Sequence, residues 1–486
     1  MSLQADTAQA LMWKMLERGG YLGCQFVIQI VMARLLSPSD YGVLSIMVVF
    51  TSLANVFVQT GLTTSLIQVK SIDRETMSSV YWFNFFVSIL LTVLLFFAAP
   101  FIETYYRFEN FMFPFRVLLL ILPLSANAAV QVALFTRNMT IKPIFRASLV
   151  SVIVSGVSGI FLAYKGFGIW ALVGQHILFA SVNSVILGVF SPWRPSIFFS
   201  LKKIHAHISF GWKLLASNLV ESLYNDVVSL AIGKKYTANM LAFYNRGKHF
   251  PKLFGGIVKD ALSGVLLAAY SKEQDNVPAI KETMRKYVRI GGGFSWLMLS
   301  MLAASAKPLV ELMLTEKWLP CVPYLKIACV FYAIVPLNTV PLQAVNAMGR
   351  SDIYLRLSIT KRFFSLLMVF ASVFMFDSVL AVAIVWACTG LLNLIINFND
   401  IKKLFGYRLS ELLQDVLPYV LFACVIYFIE SGISYLGFPL LLLIGMQSVV
   451  GFVVYCLLMK LFYIQGFQDM VGFLNDLTKG RLKRIK

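Results

Sequence analysis

Apolar stretches alternate with short polar breaks from one end of the chain to the other. A helix needs about 20 mainly apolar residues to cross a bilayer. The pattern predicts spans at 19–36, 43–67, 80–101, 115–136, 145–164, 168–190 and 209–233, then at 241–270, 287–306, 324–347, 355–376, 378–399, 416–436 and 438–460. That makes an all-α polytopic membrane protein of about fourteen transmembrane helices. The segments at 209–233 and 241–270 are the least apolar, because they carry charges. Beyond the last span, Phe467, Met470, Val471, Leu474 and Leu477 fall at helical spacing before a basic end, which reads as an interfacial helix on the inner leaflet. Met1–Arg18 shows no small-residue cleavage pattern of a removable signal peptide.

Composition excludes the soluble alternatives. The chain is 59% apolar and 13% charged, against about 45–50% and about 25% for soluble domains. Its net charge of +19 would point to nucleic acid in a soluble protein. Here basic loops facing anionic lipid explain it better, and no nucleic-acid partner is expected. The loops that share a side with both ends hold 27 of the 42 Lys+Arg, those opposite hold eight, and seven lie inside spans. That asymmetry predicts cytoplasmic termini. The six cysteines form no CxxC pair and read as buried thiols, and His205 and His207 point to opposite sides of a helix, so no metal site is expected.

An internal repeat organises the spans. Trp13-Lys14-Met15-Leu16 recurs as Trp212-Lys213-Leu214-Leu215, an offset of 199 that also superposes the break at Ser37–Asp40 on that at Tyr236–Asn239. Six helices separate the copies, so both run the same way, as in parallel transporter repeats. The expected division is an N-lobe over 1–200, a C-lobe over 201–410, two further helices over 411–464 and a basic tail over 465–486.

Polar residues then gather on single faces. On the first span Lys14, Arg18, Tyr21, Gln25 and Gln29 fall within about 80° at about 100° per residue, with Glu17 beside them. A basic residue facing lipid near the bilayer centre costs about 2.5–3.5 kcal/mol, so a water-filled cavity fits this stripe. A lone Gln serves equally as helix–helix glue, and Lys14 can snorkel. The seventh span carries Asn218, Glu221, Ser222, Asn225 and Ser229 on one side, with Asp226 next to them. The eighth carries Lys248, Lys252 and Lys259 on one stripe and Arg246, His249 and Asp260 on another, interrupted by Pro251 and Gly255-Gly256. An internal ion-pair network, Lys259 with Asp260 or Asp226, is the competing reading of that helix. Asn55 and Gln59, Asn127 and Gln131, and Thr339, Gln343 and Asn346 add neutral polar groups.

No GxxxxGK[ST] motif is present, so this chain carries no P-loop ATPase, and no long loop offers room for an extramembrane catalytic domain. A non-enzymatic mover of an anion attached to a lipid tail is the expectation.

Specific segments carry a family resemblance. Ala33-Arg34-Leu35-Leu36-Ser37-Pro38-Ser39-Asp40-Tyr41-Gly42, Tyr81-Trp82-Phe83-Asn84, Tyr244-Asn245-Arg246-Gly247-Lys248, Glu316-Lys317-Trp318 and Asn346-Ala347-Met348-Gly349-Arg350 resemble the Wzx-type, colanic-acid-exporter-like branch of the MOP flippase superfamily. The resemblance implies two six-helix lobes around a central cavity, plus two helices lining a lipid groove. It also implies alternating access that moves undecaprenyl-pyrophosphate-linked oligosaccharide to the outer leaflet of the bacterial cytoplasmic membrane. Polysaccharide polymerase and glycosyltransferases would be its working partners, and no cofactor beyond a coupling proton or sodium ion is expected. By helix position, Arg18 and Arg246 are the candidates for the diphosphate. Glu221, Asp226, Asp260 and Glu17 are the candidates for cation coupling. A cation-coupled multidrug exporter of the same fold, or an integral-membrane glycan polymerase or ligase, are the alternatives.

Overall fold

The computed structural model describes residues 3–59, 61–69, 72–271, 273, 276–462 and 468, with side chains from Gly19 onward except a few within helices. The predicted helix at 466–486 lies outside these, apart from Gln468. Every predicted span falls on a helix. Among the described residues eleven helical segments are long and apolar enough to cross a membrane, and a pair bent by 64° raises this to twelve. The expected count of about fourteen is therefore not reached on apolarity. One shortfall, the helix Leu201–Lys235, has a physical reason: Lys213, Glu221, Asn225 and Asp226 lie along it. The chain divides by packing into two compact units, Met1–Ala242 and Phe243–Lys486.

The first unit holds α1 (Leu3–Leu35), α2 (Pro38–Gln59), α3 (Leu62–Gln68), α4 (Arg74–Tyr106) and α5 (Met112–Leu118). It continues with α6 (Ile121–Arg137), α7 (Lys142–Tyr164), α8 (Ile169–Phe190), α9 (Leu201–Lys235) and the start of α10 (Ala238–Ser271). The packing boundary falls at 242 because α9 packs on α2, α3 and α4. Small side chains make such contacts close. Ala147, Ser151, Ser155, Gly159 and Ala163 recur every fourth residue down the buried face of α7, which packs on α1 and α8. At the α2–α3 break Gly61 has φ +86°, and its missing Cβ would come within 2.9 Å of the Gly211 carbonyl on α9. Only glycine takes that backbone without strain and permits that approach. Between α4, α6 and α8, the Tyr81 hydroxyl donates to Asn127 at 2.9 Å, and the Asn127 amide donates to Ser184 at 2.7 Å. Asn127 thus ties helices together.

The second unit continues α10, then α11 (Val277–Ala304) bent into α12 (Ala306–Leu314), and a 3₁₀ turn at Glu316–Cys321. After it come α13 (Val322–Ala347), α14 (Ser351–Met375), α15 (Val379–Phe405), α16 (Leu409–Ile433) and α17 (Leu440–Leu461). Its core gathers Leu266, Met284, Val288, Leu337, Val340 and Phe398 from α10, α11, α13 and α15. A charged clamp ties α11 to α16. Arg285 grips Asp415 through Nε at 2.8 Å and Nη2 at 2.9 Å, Arg289 lies 3.4 Å away, and the Tyr407 hydroxyl donates to the same carboxylate at 2.9 Å. Along the outer faces of both units, side chains such as Phe97, Phe101, Phe374 and Leu441 stand exposed, as lipid-facing positions require.

Candidate functional site: two internal cavities

Unit 1 holds a partly open cavity of about 540 Å³ between α1, α2, α3, α6, α7 and α8. The periodicity of α1 delivers Tyr21 and Gln25 to it one turn apart, and α2 delivers Asn55 and Gln59 in the same way. The short α3 adds Thr63 and Thr64, and α8 adds Gln175, His176 and Asn183. No Lys, Arg, Asp or Glu is among its lining residues within the described part of the chain. The cavity therefore presents amides, hydroxyls and one imidazole beside apolar walls, a surface for neutral hydrogen-bonding groups. Phe179 packs its ring 5.9 Å from that of Tyr21.

Four sequence-nominated residues thus meet in one place: Tyr21, Gln25, Asn55 and Gln59. Gln29, a turn further along α1, is not among the lining residues. The side chains of Lys14, Glu17 and Arg18 lie outside the described residues. The α8 contribution was missed by sequence reasoning, although Gln175, Phe179 and Asn183 at four-residue spacing mark one polar-aromatic face of the sixth span.

The basic residues of α10 have separate fates. Arg246 is buried, with its guanidinium 5.4 Å from the centre of the Trp318 ring. Lys248 sits 4.6 Å from both the Tyr244 and Trp386 rings and donates to the Tyr244 hydroxyl at 3.3 Å. Aromatic faces stabilise both cations. Lys252 and Asp260 are exposed, and neither cavity includes Arg246, Lys248 or Lys252 in its lining. The competing ion-pair network is not seen: Lys259 has no carboxylate partner among the described residues. In unit 1, Asp226 on α9 is half-buried and accepts from Ser52 on α2 at 3.4 Å, whereas Glu221 is exposed.

Lys259 instead lines a second cavity, of about 230 Å³, inside unit 2. Asn338, Thr339 and Gln343 of α13, Tyr354 and Lys361 of α14, and Asn393 of α15 complete its polar wall. Lys361 lies well inside α14.

Comparison with known proteins agrees with the all-helical fold. The polysaccharide biosynthesis protein family matches residues 31–323. The succinoglycan biosynthesis transport protein ExoT of Rhizobium meliloti is 23% identical over 63% of this chain, a match spanning 62% of ExoT. The lipopolysaccharide biosynthesis protein WzxC of Escherichia coli is 22% identical over 75% of this chain and 74% of its own. Among solved structures, the inward closed conformation of the lipid II flippase MurJ aligns with a TM-score of 0.74, at 15% identity, over 93% of this chain and 99% of that one. An inward-facing multidrug resistance MATE family transporter aligns with a TM-score of 0.58 at 16% identity, over 78% and 95%.

Proposed function

This chain belongs to the polysaccharide biosynthesis protein family, and from that premise we propose that it is a flippase for undecaprenyl-pyrophosphate-linked oligosaccharide. It carries the glycan from the inner to the outer leaflet of the bacterial cytoplasmic membrane by alternating access, with both termini cytoplasmic. The observation that carries this reading is the uncharged, amide- and hydroxyl-lined cavity of unit 1. Sugar hydroxyls donate and accept at once, and Asn, Gln and Thr side chains answer in both senses. A cation-coupled multidrug exporter would want carboxylates against its cargo. Among the described residues neither cavity has one in its lining.

In this reading the pyrophosphate is met by Arg18 and Arg246. The Trp318 face holds the Arg246 guanidinium, a planar group suited to phosphate oxygens. Since the chain has no P-loop, a proton or sodium gradient supplies the drive. Glu221 and Asp226 on α9 are the coupling acids, with Ser52 holding the Asp226 carboxylate. Glycosyltransferases supply the cargo and a polymerase consumes it.

The test is reconstitution in proteoliposomes with a fluorescent undecaprenyl-pyrophosphate-linked oligosaccharide, scored by the leaflet in which a lectin finds it. Arg246→Ala is expected to lower the flipping rate by about 100-fold, the loss of about 2.8 kcal/mol of charge–phosphate contact. Normal flipping in both Arg18→Ala and Arg246→Ala removes the diphosphate assignment. Ethidium transport without glycan transport favours the multidrug reading.

A further inference from the structure

The unit 2 cavity asks for a ligand of its own. Lys361 lies ten residues into α14, which begins at Ser351, so it sits about 15 Å from that end of the helix. Lys259 lies twelve residues before the end of α10 at Ser271, about 18 Å in. The bent α11–α12 pair and α13 each cross once between these two ends, so both ends belong to the same side of the bundle and both lysines sit at similar depth. No carboxylate lines the cavity, and neither lysine has a hydrogen bond or ion pair from its ammonium group among the described residues. Arg362 follows directly and adds a third positive charge near Lys361. Lys259 is exposed on the bundle and Lys361 half-buried, and at mid-depth of a membrane both ammonium groups are costly unless something answers their charge.

The surrounding polar groups are arranged as donors. Ser365 donates to the Asn393 carbonyl oxygen at 3.3 Å, which leaves the Asn393 amide N–H groups for the cavity. Asn338 is committed elsewhere: it accepts from Asn397 at 2.9 Å and donates to the Gly390 carbonyl at 3.3 Å. The Tyr354 hydroxyl is a further donor in the lining. Two lysines, an oriented amide and a phenol, with no acid, make a setting for an oxyanion.

We propose that this cavity binds a single phosphate group, either free or carried at the end of a lipid. At about 230 Å³ it is less than half the size of the unit 1 cavity, enough for one phosphate and a few waters but not for a lipid-linked glycan. Lys259 and Lys361 neutralise the charge, and Asn393 fixes the oxygen positions. The site is separate from the residues assigned to the pyrophosphate and stands whichever cargo the protein moves.

Isothermal titration of the full chain in a non-ionic detergent tests it, with inorganic phosphate in one arm and farnesyl monophosphate in the other. Binding is expected in at least one arm, and the arm identifies a free or a lipid-borne phosphate. Lys259→Gln and Lys361→Gln should each weaken it by about ten-fold, and Lys361→Arg by no more than about three-fold. Asn393→Asp, which places a carboxylate in the donor shell, should also weaken it by about ten-fold or more. Lack of binding in both arms overturns the proposal, and so does binding that survives both Asn393→Asp and the double lysine substitution. If the double variant does not fold, Asn393→Asp alone decides, with an unchanged thermal melt as the check on its fold.

Discussion

Unit 1 lines its cavity with Gln25, Asn55, Gln59 and Asn183, whereas unit 2 places Lys259 and Lys361 around its own. Their polar ties invert that contrast. In unit 1 one cross-helix charge tie is exposed, with Lys203 reaching Asp73 and Glu75 near the start of α4. In unit 2 the corresponding tie is inside, where Asp415 collects Arg285, Arg289 and Tyr407. The 199-residue offset pairs α1 with α9, which begin at Leu3 and Leu201, and α2 with α10, which begin at Pro38 and Ala238, although α9 packs within unit 1. A repeat conserves helix length because each helix must span the same hydrocarbon thickness. It places no such demand on the polar side chains. Helices of similar length thus surround two cavities with different linings.

Breaking the buried tie should have the largest effect. Asp415→Ala removes the carboxylate, only 5% exposed, that Arg285, Arg289 and the Tyr407 hydroxyl share. Removing one partner of a buried pair costs about 3–5 kcal/mol, so the thermal melt of the detergent-solubilised protein should fall steeply. Arg285→Lys, which loses the bidentate grip, should fall less. An unchanged melt in Asp415→Ala would mean that α11 and α16 are held by apolar contact alone.

Removing amides from the unit 1 cavity sharpens the comparison of cavities. Asn55→Leu with Gln59→Leu removes amide partners for sugar hydroxyls and should slow glycan flipping by about ten-fold, since each lost hydrogen bond is worth about 0.5–1.5 kcal/mol. The same pair should leave phosphate binding in unit 2 untouched. If phosphate binding falls along with flipping, the two cavities are not independent.

The exposed tie should matter least. The Lys203 ammonium beside Asp73 holds that carboxyl well below its ordinary range, at about 2, with Thr76 adding a second hydrogen bond. A depressed value stabilises the fold above the ordinary carboxylate pKa and is lost as pH falls through about 2. Lys203→Gln should therefore erase a small, salt-screened component seen at neutral pH and absent in strong acid. A neutral-pH melt at low salt, repeated at high salt, measures it; equal loss in both would show that Lys203 acts through packing.

How much of this was legible beforehand follows from where each free energy arises. Helix formation and membrane insertion are set residue by residue along the chain. Apolar run lengths therefore placed the predicted spans on helices, of which eleven or twelve are apolar enough to cross a membrane among the described residues, and the segments around Ala33–Gly42 and Tyr244–Lys248 carried the family resemblance. The stripe of Tyr21 and Gln25 was also readable, since polar groups in register on one helix face need a common environment. Other outcomes depended on lateral packing between distant segments. The sequence cannot tell that Lys248 falls between Tyr244 and Trp386 while Lys259, three turns along the same helix, opens onto a cavity with Lys361. Nor does it show that Asn127 is spent on Tyr81 and Ser184 while Asn183, one residue before that serine, faces the unit 1 cavity. Periodicity fixes which residues share a face of a helix. The partner of that face is chosen by which helices pack together, a non-local decision that gave Gly61 its neighbour Gly211 and Asp415 its arginines.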